Sequence, residues 1–134
     1  MKVIKVLVAL LATVSFCVLL AQSDAEYMGW MKSAVASKGK VAKGIAAKDG
    51  PTVATEAKSM EESFAHIEDY WTKKGAEDAS GFAKQAVAAS ADIAKAGSEG
   101  DFAAANTAMM ALGGTCGGCH MAHRAKGASG FEIK

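Results

Sequence analysis

Several things are scarce in this chain, and each scarcity excludes something. Proline occurs once, at Pro51, and strand-forming runs are absent, so little suggests a sheet-based fold. Cysteine occurs three times, as Cys17, Cys116 and Cys119, too few for a disulfide scaffold. Fifteen basic side chains against fourteen acidic ones leave a net charge of only +1, so the usual footprint of a nucleic-acid binder is missing. The one long apolar run, Val6 to Leu20, falls short of the ~20 residues that a spanning helix needs.

That run reads instead as an export signal. Lys2 and Lys5 give it a basic start, and small residues at Ser23 and Ala25 follow it, so cleavage is expected after Ala25, with Ala21 as the alternative. Residues 1–25 are then a signal peptide and residues 26–134 one compact domain, exported to the periplasm and free of the membrane. Cys17 leaves with the signal. A lipid-modified cysteine there is discounted, because Phe16 precedes it where a small residue is expected.

Breaks at Asp49-Gly50-Pro51, Lys74-Gly75 and Gly97-Ser98-Glu99-Gly100 divide the remainder into four segments. In the second, Val53, Ala57, Met60, Phe64, Ile67 and Trp71 recur at helical spacing; in the third, Phe82, Ala86, Ala89, Ile93 and Ala96 do the same. The first carries Tyr27, Met31, Ala34, Val41 and Ile45, with Lys38 interrupting the apolar line. Pro51 suits the first turn of the second helix, Gly97 a stop for the third, and Asp101 or Ser98 a cap for the fourth. The expected fold is all-α, an antiparallel four-helix bundle.

Cys116-Gly117-Gly118-Cys119-His120 carries the chemistry, since C-x-x-C-H is the attachment signature of a c-type haem. Two thiols at that spacing can each add across one vinyl group, and His120 then offers the iron an axial imidazole. Phe102, Ala105, Met109, Leu112, Cys116, Cys119 and His123 share one helical seam, which places both sulfurs towards the other helices near the C-terminal end of helix 4. Up-down-up-down order brings that end beside Tyr27 to Val35 rather than Ile45. Nearly everything accompanying the cofactor is expected from sequence before the motif. A thioredoxin-type C-x-x-C belongs to a βαβ pattern, which is missing, and a zinc site needs more ligands than the motif supplies.

With four helical segments and C-x-x-C-H near the end of the last, the chain resembles the class II c-type cytochromes: cytochrome c-prime and its low-spin, six-coordinate relatives. The resemblance covers residues 26–126 and rests on Cys116, Cys119, His120 and Arg124, against C-x-x-C-H-x-x-[YH]-R. Tyr27-Met28-Gly29-Trp30-Met31-Lys32 is a weaker match. It implies one covalent haem c, single-electron transfer to redox partner proteins, and a homodimer through the first two helices. Low-spin members take a second axial ligand from a methionine of the first helix; cytochrome c-prime leaves that side open.

Met31 is the expected sixth ligand. It is central on the apolar face of helix 1, whereas Met28 lies towards the edge, and a thioether opposite histidine suits electron transfer. Methionine also fills gaps in cores. His123 is expected to pack or hydrogen-bond, Arg124 to meet a propionate or solvent, and His66 to have no chemical task. Tyr27 and Trp30 are candidate lid residues. The expected function is a periplasmic electron carrier, not an enzyme. The alternative is an open-site binder of nitric oxide or carbon monoxide; a peroxidase ranks below both, lacking a distal acid–base pair in helix 1.

Overall fold

The computed structural model describes residues 22–134, so most of the expected signal, including Cys17, lies outside the described residues. Four helices, α1 (Asp24–Ala47), α2 (Gly50–Lys73), α3 (Glu77–Glu99) and α4 (Phe102–His123), pack against each other and are followed by two short strands, β1 (Arg124–Gly127) and β2 (Gly130–Ile133). None of these helices is long and apolar enough to cross a membrane.

Local chemistry sets the helix boundaries. Ser23 and Glu26 form a reciprocal capping box that satisfies two of the first free N–H groups of α1. Asp49 caps α2 by accepting from Thr52 N, with Pro51 in the first turn. Asp101 caps α4 by accepting from Ala104 N at 2.9 Å. The third helix runs past Gly97 and stops at Gly100, whose left-handed φ of 70° closes the helix. Gly97 has a different task. A Cβ there would lie 2.7 Å from Val53 Cγ1 and 2.9 Å from Ala54 N, so its bare backbone lets α2 and α3 touch.

The seams expected from spacing form the core. Val53, Ala57, Met60, Ile67 and Trp71 of α2 are buried, as are Ala86 and Ile93 of α3 and Leu112 of α4. In α1 the buried line runs Tyr27, Ala34, Ser37, Val41, so Ser37 rather than Lys38 is the polar member of the seam. Its hydroxyl donates to Glu56 Oε2 at 2.9 Å, and that bond offsets the cost of burying it. Lys38 sits half-buried at the edge.

The strands are the unexpected element. They pair antiparallel, Arg124 opposite Ile133 and Gly127 opposite Gly130, across Ala128-Ser129. Two four-residue strands alone are marginal in water. Here Ile133 packs against the helical core and Lys134 N donates to His123 O at 3.1 Å, so the hairpin is fastened back onto α4.

Candidate haem site

Two cavities open between α1 and α4. The larger, about 330 Å³, has Tyr27, Met28, Met31 and Lys32 on one wall and Cys119, His120, His123 and Arg124 on the other. The smaller, about 200 Å³, is walled by Met31, Ala34, Phe64, Phe82, Cys116 and Cys119. Met31, Val35, Cys119 and His120 line both. The four residues expected to hold a cofactor, Cys116, Cys119, His120 and Met31, thus all line the smaller cavity, and Cys119, His120 and Met31 line the larger as well. Met28 reaches only the larger cavity, and Trp30 reaches neither; it stacks on His66 at 5.0 Å instead.

The cysteines are free thiols, Cys119 buried and Cys116 half-buried. Burial pushes both thiols up from their ordinary value, and Asp78 adds to the rise at Cys119. A redox-active C-x-x-C does the reverse: it sits at a helix N-terminus, whose dipole favours thiolate. This pair occupies the last two turns of α4, where the dipole opposes charge. Its chemistry is that of neutral sulfurs facing a cavity.

His120 is half-buried. Burial, then the charges of Arg124 and Lys38, holds its pKa below the ordinary histidine value, favouring the neutral imidazole that binds metals. Arg124 Nη1 lies 3.3 Å from Nδ1. A guanidinium donates there only when Nδ1 carries no proton, whereas metal binding through Nε2 puts the proton on Nδ1, so the two contacts are alternatives. His123 pairs with Asp78 Oδ2 at 2.8 Å and packs on Trp71 at 4.9 Å.

Aromatic rings floor the larger cavity. Tyr27 packs on Tyr70 at 4.6 Å and edge-on to Trp71 at 5.6 Å, and burial raises its phenol pKa to about 12, so it stays neutral. The Trp71 indole N–H is buried without a hydrogen-bond partner. Among the described residues no group of three or more His, Cys, Asp or Glu side chains is placed to hold a bare metal ion. A porphyrin brings four nitrogens of its own, so one imidazole and one thioether complete its iron. The donor set and the mostly apolar lining of the two cavities fit that group.

Sequence reasoning missed the far wall. Phe131, Glu132 and Ile133 of β2 line the larger cavity, so the residues after the motif contribute directly, contrary to the expectation that nearly everything came before it. Arg124 is exposed, and its guanidinium carbon lies 3.6 Å from the Phe131 ring centre. The available signal was Phe131 and Ile133 two apart, preceded by Gly127 and Gly130.

The sequence matches no family model, and comparison with curated proteins and with solved structures finds nothing similar.

Proposed function

We propose that this chain is an exported c-type cytochrome: an antiparallel four-helix bundle of the class II kind, carrying one haem through Cys116 and Cys119 and passing single electrons between redox proteins. One observation carries the reading. Met31 and His120, on different helices, both border the two cavities; Cys119 lines both as well, and Cys116 lines the smaller. Bound there, haem supplies a one-electron ferric–ferrous couple.

The chain's own residues would hold and tune it. Cys116 and Cys119 fix the cofactor to α4, so it stays with the protein after export. His120 presents an imidazole kept neutral by its surroundings, and Met31 offers a thioether from α1. Tyr27, Phe64 and Phe82 exclude water, which strengthens every electrostatic interaction inside. Lys32 and Arg124 put positive charge beside the larger cavity, suited to propionates. With Met31 held by α1 and His120 by α4, little in the chain would need to move when an electron arrives.

Expression alongside a haem-attachment apparatus tests this. The pigment is expected to survive acid–acetone extraction, and the ferric protein to show a far-red methionine–iron band that Met31→Ala abolishes and Met28→Ala preserves. A colourless protein, or pigment that extracts freely, ends the reading. Five-coordinate iron that takes up carbon monoxide puts the gas-binding alternative in its place.

A further inference from the structure

We infer that the C-terminal hairpin is the cover of this site, and that Phe131 decides how readily small molecules reach the iron. The inference rests on haem attachment at Cys116 and Cys119.

Nothing in the hairpin's own pairing requires an aromatic at position 131. Phe131 is 54 % exposed, so its ring is free to contact a group placed in the cavity beside it. It lies at the wall of the larger cavity, opposite Met28 and Met31. Arg124 holds it there by stacking on the ring, and Arg124 immediately follows α4. Ile133, two residues on, reaches the same cavity and packs against the core. The strand period of two puts both side chains on one face of the ribbon, with Lys134 N tying its end to His123 O. The hairpin therefore closes the outer side of the crevice between α1 and α4, the side that no helix covers.

A planar apolar group in that crevice would meet Phe131 on the face Arg124 leaves free. Two consequences follow. Filling the cavity stabilises the hairpin, and removing the ring admits water and small ligands to the cofactor. Water favours the more charged ferric state, so the potential moves negative.

The test uses the full-length haem-loaded protein and its Phe131→Ala and Phe131→Leu variants, with imidazole as the probe ligand. Phe131→Ala is expected to bind imidazole several-fold faster and to show a more negative potential, and Phe131→Leu to restore most of both. Amides of residues 124–133 are expected to exchange hydrogen markedly more slowly in the loaded wild type than in protein made without haem. Circular dichroism checks that each variant keeps its helices, which the ring's exposure leads one to expect. Unchanged imidazole kinetics and potential in Phe131→Ala overturn the cover, as does hairpin exchange indifferent to haem. A wild-type chain without covalent haem overturns the underlying reading as well, so the two failures are distinguishable.

Discussion

Two glycines in α4, four residues apart, are expected to respond to alanine with opposite signs. A Cβ at Gly114 would meet nothing within 4 Å, whereas one at Gly118 would lie 2.7 Å from Phe82 Cε1 and 3.0 Å from Cζ. Carbon atoms prefer about 3.5–4.0 Å, so the Phe82 ring would have to retreat by roughly 1 Å. Replacing an exposed helical glycine by alanine gains about 0.5–1 kcal/mol. Overpacking costs about 1–3 kcal/mol. Gly114→Ala is therefore expected to raise stability by about 0.5–1 kcal/mol, and Gly118→Ala to lower it by about 1 kcal/mol after the helix gain is subtracted. At roughly 4 °C per kcal/mol, the melting temperatures should separate by about 6–8 °C. Thermal and urea unfolding of the haem-free chain, followed by circular dichroism, reads the difference. Phe82 also walls the smaller cavity, so the glycine variant that displaces it should load less haem. Equal stabilisation by both substitutions would sink the reasoning, because Phe82 would then have room to spare.

Other expectations follow from the ends of the helices and from titration. A chain starting at Glu26 loses the Ser23 cap, about 1 kcal/mol, and should melt a few degrees below one starting at Gln22; mass spectrometry of exported protein then reads which start occurs. In a chain starting at Gln22, which keeps Asp24, the Tyr70 hydroxyl donates to Asp24 Oδ1 at 2.5 Å, and Lys74 lies 3.2 Å away. These hold the Asp24 carboxyl below its ordinary 3.8, the hydrogen bond from Tyr70 first. A depressed carboxylate stabilises above its unfolded value and stops doing so as pH falls through the folded one, so Tyr70→Phe should flatten the acid limb of a stability–pH curve. His120, also depressed, works in the same direction: the haem-free chain should weaken as pH falls below about 6.5, the unfolded histidine value, and His120→Asn should remove that slope.

Much of the helical body was legible in the sequence because three-four spacing of apolar residues is a direct image of a buried face. The exceptions have physical causes. Ser37 is inside and Lys38 at the edge, because a hydroxyl with a carboxylate partner tolerates burial better than an ammonium does. Gly97 looked like a stop and is a contact point, since one residue type serves both turns and close approach. The cysteines, His120 and Met31 were picked out by motif and by face, and all four line the smaller cavity, whereas Met28 reaches only the larger. Phe131 and Ile133 were not, because four-residue strands give too few alternations to stand out, and their pairing partner lies across a turn.

The glycine contacts make the helical body mechanically lopsided. At one extremity Gly44, Gly50 and Gly97 bring neighbouring helices to within touching distance, and a Cβ on Gly50 would collide with Gly97 O at 2.6 Å. At the other, Tyr27 and His123 stand apart across a hollow. Added side-chain bulk is therefore barred at the glycine corner and tolerated around the hollow at the opposite end.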